Sequence, residues 1–293
     1  MSLCNICPRN CSADRNIFGG FCKSGNNIKI ARAAPHLWEE PIISGNRGAG
    51  TVFFSGCNLG CVYCQNDKIS RGGFGQEVSV EGLRNIFESL IEKGVHNIEL
   101  VTPTHFIPQI RKALYPRLPV PVIYNCGGYE KAESLKALEG LIDVYMPDMK
   151  YSIPKVAERY SAAPDYPEVN LAAIKEMHRQ VGDCKLDENG LLTKGVLVRH
   201  LILPNNLLNT KGVIRSFASL LGEGRKMLFS LMAQYTPCGN LDAFPEINRR
   251  ITEHELISAK KALSRFPEIE GFVQELSSAK SEFIPDFDLS GVK

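Results

Sequence analysis

The chain has 293 residues, and its 34 basic residues nearly balance its 32 acidic ones for a formal net charge of +2. Hydrophobic residues at 44% and charged residues at 23% exclude a disordered chain, and the near-neutral balance gives no argument for a nucleic-acid partner. No run of about 18 apolar residues marks a membrane span, and residues 1–7 lack the basic-then-apolar order of a signal peptide, so the expected compartment is the cytoplasm.

After residue 50, short apolar runs alternate with longer amphipathic ones. A strand is predicted over 51–55, then a helix over 80–91, whose apolar stripe is Val80, Leu83, Ile86, Phe87, Leu90 and Ile91 and which Gly94 ends. Next come a strand over 97–101, a helix over 105–114 and a strand over 120–124 despite Pro121. A helix over 130–138 and a strand over 141–146 follow, then a helix over 171–181 and a long strand over 195–203. A helix over 211–221, a strand over 226–231 and a helix over 253–263 capped by Thr252 complete the pattern. Strands alternating with helices predict an α/β fold of about six parallel βαβ units, fewer than the eight of a closed barrel. In such folds functional groups gather at the carboxyl ends of the strands. The segment after residue 275 is polar and reads as a loosely packed tail over 276–293.

The 10 cysteines sharpen this reading, because a reducing compartment disfavours disulfides and favours metal ligation. Cys57, Cys61 and Cys64 follow the first predicted strand with C-x3-C-x2-C spacing. Three thiolates from one loop can hold three irons of a [4Fe-4S] cluster, and no fourth cysteine follows nearby, so one iron would stay open for chemistry. A structural zinc site prefers four closed ligands. Cys4, Cys7, Cys11 and Cys22 form a complete four-thiolate set that suits either zinc or a second Fe–S cluster. Cys126, Cys184 and Cys238 stand alone.

The triplet, with Tyr63 just before its last cysteine, resembles the signature of radical S-adenosylmethionine (SAM) enzymes. The wording around it, through Gln65-Asn66, is most similar to the glycyl-radical activating enzymes, and closest to the branch labelled pyruvate formate-lyase activating enzyme. That branch also resembles this chain in its cysteine-bearing N-terminal extension and in His36-x2-Glu39-Glu40-Pro41. The resemblance implies a partial, open (β/α)6 barrel over 49–275, preceded by a cysteine-rich extension over 1–48. It implies a [4Fe-4S] cluster whose open iron binds SAM, and reductive cleavage of SAM to a 5′-deoxyadenosyl radical that takes hydrogen from a substrate. It further implies a one-electron donor such as flavodoxin or ferredoxin, and as substrate a glycyl residue of a partner enzyme.

The strand ends supply the candidate site residues. Thr102, Thr104 and His105 stand where most activating enzymes carry a Gly-Gly-Glu motif for the SAM amino group, so this chain offers no acidic ligand there. Asn125-Cys126-Gly127-Gly128 resembles the family's Asp-Thr-Asn-Gly turn. Cys126 reads as a ligand, a hydrogen donor or a buried bystander. Asp148 and Lys150 match the family's Asp-x-x-Met-x-Asp-x-Lys segment, which gives Asp148 a part in holding SAM through a bound monovalent cation. Arg199 matches a strand-borne arginine, and a bidentate guanidinium suits the SAM carboxylate. His200 points to the other face by strand alternation. Gln234 and Tyr235 end the sixth strand, Gln234 as a SAM contact and Tyr235 as a second catalytic candidate beside Cys126. Residues 36–41, with Trp38 and the paired Glu39 and Glu40, read foremost as a linker packed on the barrel, and second as a site mouth lined by His36 and the two carboxylates. The alternatives are a radical enzyme acting on another protein, peptide or small molecule, and a non-catalytic zinc or Fe–S scaffold.

Overall fold

Each apolar run read from the sequence forms a strand, and the amphipathic segments between them pack outside the sheet. The computed structural model describes residues 3–17, 19–278 and 285–292. Its strands are β1 (Ile28–His36), β2 (Ala49–Phe54), β3 (Gln76–Val78), β4 (Ile98–Val101), β5 (Val122–Cys126), β6 (Val144–Pro147), β7 (Lys185–Leu186), β8 (Leu192–Leu201), β9 (Leu228–Met232) and β10 (Gly271–Val273). Helices are α1 (Pro41–Ser44), α2 (Asp67–Ser70), α3 (Val80–Glu92), α4 (Ile107–Ala113), α5 (Ala132–Leu135), α6 (Pro154–Ser161), α7 (Tyr166–Val181), α8 (Leu207–Gly222) and α9 (Glu253–Leu263).

One sheet runs in the order β10-β9-β8-β6-β5-β4-β2-β1-β3. Strands β2, β4, β5, β6, β8, β9 and β10 are mutually parallel, whereas β1 lies antiparallel to β2 and carries β3 at its far edge. The six expected strands are all present, so the architecture is an α/β partial barrel with a mostly parallel sheet. Three features exceed the expectation. β1, within the segment set apart by its cysteines, extends the sheet. The three-residue β10 adds a seventh parallel strand, and the eight-residue α6 precedes α7. Helix α7 itself starts at Tyr166 because Pro167 occupies its first turn, a position where proline costs no hydrogen bond. Thr252 caps α9 through a full capping box with Glu255.

Alternation sorts each strand into two faces. Outward residues such as Val52, Phe54, Leu100 and Tyr124 belong to the main core with Leu83 and Phe87 of α3 and Ile110 of α4. Inward, Ala49, Ile123, Val144, Met146 and Leu197 join Ile43 of α1 in an apolar plug. Each larger side chain of that plug contributes on the order of 1.5–3 kcal/mol, and together they close the lower barrel to water. Two residues further along the same strands the inner face turns polar, with Thr51, Asn125, Arg199 and Ser230, and with Glu99 paired beside Thr51. The switch from apolar to polar on one face places the site at the carboxyl end.

Residues 285–292 are not loose. Phe287 is buried edge-on against Phe53 at 5.4 Å, and Leu289 and Ser290 exchange backbone hydrogen bonds with Ala31 and Ala33 of β1. An exposed strand edge and an apolar anchor account for the difference. Residues 279–284 and 293 of that expected tail lie outside the described residues. Among the described residues no helix is long and apolar enough to cross a membrane.

Gly128 ties the ends of β5 and β6 together. Its φ is +75°, and a Cβ there would meet the Asp148 carbonyl at 2.0 Å and the Asn170 amide at 2.3 Å. The space beside its Cα is thus filled by protein. Gly128→Ala is expected to cost about 3 kcal/mol or more, read as a lower urea midpoint with an unchanged slope.

Candidate functional site

The triplet loop leaves β2 at Ser55 and wraps through Gly56 and Gly60, both at positive φ. Backbone N–H groups of Leu59 and Gly60 donate to the Cys57 sulfur, the former at 3.4 Å. Cys64 receives the Ser70 hydroxyl at 3.4 Å, and Cys61 receives that of Ser161 at 3.0 Å. A chain of hydroxyls stands behind Ser161: Tyr151 lies 2.7 Å from it, and Tyr63 lies 2.8 Å from Tyr151. With Ser161 donating to sulfur, Tyr151 donates to Ser161 and Tyr63 to Tyr151. Burial, then the neighbouring Cys61, pushes the Cys57 thiol up. The same causes, with Cys57 added, bring Cys64 up to about 12. Three thiols so placed do not ionise together without a multivalent cation, and with one they form a three-thiolate ligand set. Among the described residues no three His, Cys, Asp or Glu side chains are grouped to hold a single metal ion. A four-iron cluster does not ask that of the triplet or of Cys4, Cys7, Cys11 and Cys22, since each cysteine binds a different iron, whereas a single zinc ion at the N-terminal four would.

The triplet opens onto a cavity of about 260 Å³. Thr102, Asn125, Cys126, Asp148, Lys150, Arg199 and Gln234 border it, as do Tyr63 and all three triplet cysteines. Arg199, with its side chain 13% exposed, donates from Nη1 to Glu39 Oε1 at 2.9 Å, from Nη2 to Asn125 Oδ1 at 2.7 Å and from Nε to Asp148 Oδ1 at 3.2 Å. Lys150 Nζ holds the other oxygen of Asp148. Burial pushes the Asp148 carboxyl up, but Lys150 and Arg199 outweigh it and hold it below its ordinary value. The protein's own cations therefore occupy both oxygens of the carboxylate to which the family resemblance gives a bound monovalent cation.

Two further carboxylates, Glu39 and Glu99, stand beside this pair. Glu39 borders the cavity instead of serving only as a linker. Glu99 is fully buried, accepting from Asn125 Nδ2 at 2.6 Å and Thr51 Oγ1 at 2.9 Å. Burial, then the adjacent Glu39, pushes Glu99 well above the carboxylate range, so it keeps its proton and hydrogen-bonds Glu39. Glu40 is buried on Ser230 Oγ at 2.6 Å and is likewise pushed up by burial. With Glu99 neutral, Glu39 and Asp148 face Arg199 and Lys150 as two carboxylates against two cations. An acidic residue inside the short apolar strand at 97–101 was the signal available for Glu99.

Several expected site residues are elsewhere. Thr102 turns the chain at φ +59°, after which Thr104 and His105 run back into the core. Thr104 donates to Glu130 Oε1 at 2.7 Å, and His105 Nε2 donates to the Ser55 carbonyl at 2.7 Å. Burial brings His105 down to about 4, so it is neutral. Tyr235 is buried with its hydroxyl on the Ile247 carbonyl at 2.8 Å, and its ring meets Tyr63 edge-on at 5.9 Å. Cys126 touches the cavity, yet it shares the outward strand face of Tyr124 and hydrogen-bonds Glu130. His200 is packed between the Met149 carbonyl and Thr210.

In the N-terminal segment Cys7 and Cys22 are buried, Cys4 is partly buried and Cys11 is exposed. Burial drives Cys7 up to about 12, and Cys22 and Cys4 are close enough to add to the effect. Among described residues 3–27 the only buried apolar side chains are Cys7, Ala13 and Cys22, and Ile17 is exposed. The segment has no hydrophobic core of its own, which is the situation a metal remedies.

Residues 51–187 match the model of the Radical SAM superfamily. Membership of that superfamily implies a [4Fe-4S] cluster, SAM and radical chemistry. The uncharacterized protein MJ0674 of Methanocaldococcus jannaschii is 28% identical over 272 residues, covering 90% of this chain and 75% of its own. In fold, the chain is similar to SuiB of Streptococcus suis, with a TM-score of 0.51 at 14% identity over 77% of this chain and 49% of that one. The same protein bound to its precursor peptide SuiA gives a TM-score of 0.51 at 12% identity, with 77% of this chain and 48% of that one covered. This chain thus spans about half the length of that protein.

Glu130 gives the site a pH signature. Burial pushes its carboxyl from 4.5 up to about 7, against hydrogen bonds from Thr104, Tyr124 and Cys126. Across that window the unfolded state releases the proton first, so this group's contribution to stability falls as the pH rises. Between about pH 4 and pH 8, Glu130→Gln is expected to gain about 3 kcal/mol on the wild type in urea unfolding. An equal difference at both pH values would show that Glu130 titrates normally.

Proposed function

We propose that this chain is a radical SAM enzyme in which Cys57, Cys61 and Cys64 hold a [4Fe-4S] cluster and the adjoining cavity binds SAM. The observation that carries this reading is the convergence of three partly buried thiols, in one loop, on a cavity lined by two cations and two carboxylates. When bound, the cluster and SAM supply one-electron cleavage of the sulfonium and a 5′-deoxyadenosyl radical. The protein's part is to position and to exclude. Arg199 and Lys150 offer donors for the SAM carboxylate, and Glu39 and Asp148 offer acceptors for its ammonium group. Glu39 thereby supplies the acid that the Thr102-Pro103-Thr104 turn lacks. The hydroxyl chain through Tyr63, Tyr151 and Ser161 fixes the ring of Tyr63 beside the cluster loop and a proton on the sulfur side of Cys61.

The four N-terminal cysteines form a second metal site in this reading, for zinc or an Fe–S cluster. The finer assignment is a glycyl residue of a partner enzyme as substrate, with a flavodoxin or ferredoxin as electron donor in the cytoplasm. It is supported by the motif wording around the triplet and by Leu37 and Trp38, exposed at 53% and 63%, with Trp38 bordering the cavity. An exposed apolar pair at a cavity mouth suits a polypeptide partner.

Anaerobic, reconstituted protein given dithionite and SAM is expected to form 5′-deoxyadenosine, and Cys57→Ala to form none. Cleavage that survives Cys57→Ala would refute the reading. Arg199→Lys keeps a charge but loses the fork, and SAM binding is expected to weaken about tenfold.

A further inference from the structure

The N-terminal cysteine segment is fastened to the triplet loop by one side chain. Arg9 lies between Cys7 and Cys11, and its own backbone N–H donates to the Cys7 sulfur. Its guanidinium leaves the segment. Nε donates to the Asn58 carbonyl at 2.7 Å, and Nη2 to the carbonyls of Leu59 at 3.2 Å and Ser161 at 2.8 Å. Nη1 donates to the Ala162 carbonyl. Asn58 and Leu59 are two of the three residues between Cys57 and Cys61, and Ser161 is the residue whose hydroxyl holds the Cys61 sulfur. One cation thus bonds both the loop that carries two triplet ligands and the helix end that orients one of them.

A second contact supports the first. Phe21, next to Cys22, is stacked between Arg9 at 3.8 Å and Arg71 at 4.6 Å. Arg71 lies over Gly60, where a Cβ would meet its Nη2 at 1.1 Å, and it donates to the Phe21 carbonyl at 3.3 Å. Gly56, immediately before Cys57, is bare because a Cβ would meet the Cys22 carbonyl at 2.7 Å. Both ends of the N-terminal cysteine set therefore press on the triplet loop. The Arg9 guanidinium meets carbonyls and aromatic faces, which fix direction more than they neutralise charge.

We infer that Arg9 is a positioning residue through which metal at Cys4, Cys7, Cys11 and Cys22 sets the geometry and retention of the triplet cluster. The inference rests on the proposed cluster at the triplet. Without metal, the coreless N-terminal segment cannot hold Arg9 in place, and the triplet loop and the end of α6 lose two charge-assisted bonds each.

The test uses full-length, anaerobically reconstituted protein and four forms: wild type, Arg9→Gln, a Cys4→Ala/Cys7→Ala double variant, and the combination. Zinc and iron per chain report N-terminal loading. Release of triplet iron to a ferrous chelator, and the EPR spectrum of the reduced cluster, report the triplet. Arg9→Gln is expected to keep the N-terminal metal, lose triplet iron about tenfold faster and shift the EPR g values. The cysteine double variant is expected to do the same, and the combination to add little, as for two steps of one route. Arg9→Lys should restore only part of the retention, because an ammonium cannot span four carbonyls. Wild-type release and g values in either Arg9→Gln or the cysteine double variant would overturn the inference while leaving the triplet cluster intact. Additive effects in the combination would overturn it as well. A wild type with no triplet iron would instead overturn the reading of the site and this inference together.

Discussion

Closing three thiols into one buried loop creates an electrostatic demand that the polypeptide alone does not meet. Burial and mutual repulsion keep Cys57 and Cys64 protonated, and the nearest cation, Lys150, is committed to Asp148. A multivalent metal group resolves this, and much of the surrounding structure is arranged around its place. Glycines at 56 and 60 let the loop wrap, hydroxyls from Ser70 and Ser161 meet the sulfurs, and the inner barrel face turns polar at that level.

The cavity next to the loop shows the same economy of charge. Arg199 and Lys150 face Glu39 and Asp148, while burial keeps Glu99 neutral and pushes Glu40 up. Buried ion pairs are weak contributors to stability, since desolvation offsets most of the attraction. Their retention here is better explained by a zwitterionic ligand. Each of its charged ends would find an opposite charge already fixed in place, so little reorganisation accompanies binding. Thr51 and Asn125 hold Glu99 in position from β2 and β5, so the arrangement depends on register across the sheet.

Much of this was legible in the sequence. The six apolar runs after residue 50 fixed the parallel strands, because buried parallel strands read as continuous apolar segments. The triplet spacing, Asp148, Lys150 and Arg199 were legible because each follows or ends such a run. Glu39 was not, since a residue in a connection carries no periodicity to say which way it faces. Glu99 was hidden for a different reason: the strand signal averages over its neighbours, and only its oddity among Ile98, Leu100 and Val101 marks it. Thr104 and His105 were misplaced because strand ends were read as site walls without the turn at Thr102, whose positive φ sends the chain back into the core, and Tyr235 because its hydroxyl is drawn to the Ile247 carbonyl. Packing of Phe287 on Phe53 joins residues far apart in sequence, and no local pattern announces it.

The most direct measurement of the central claim is a count of iron and sulfide per chain, with Mössbauer spectra, for anaerobically reconstituted wild type and for a Cys57→Ala/Cys61→Ala/Cys64→Ala variant. The account predicts that the variant lacks about four irons and four sulfides present in the wild type, with the spectrum of a [4Fe-4S] cluster missing from the variant. Equal iron in the two proteins, or none in the wild type under conditions that reconstitute other clusters, would contradict it.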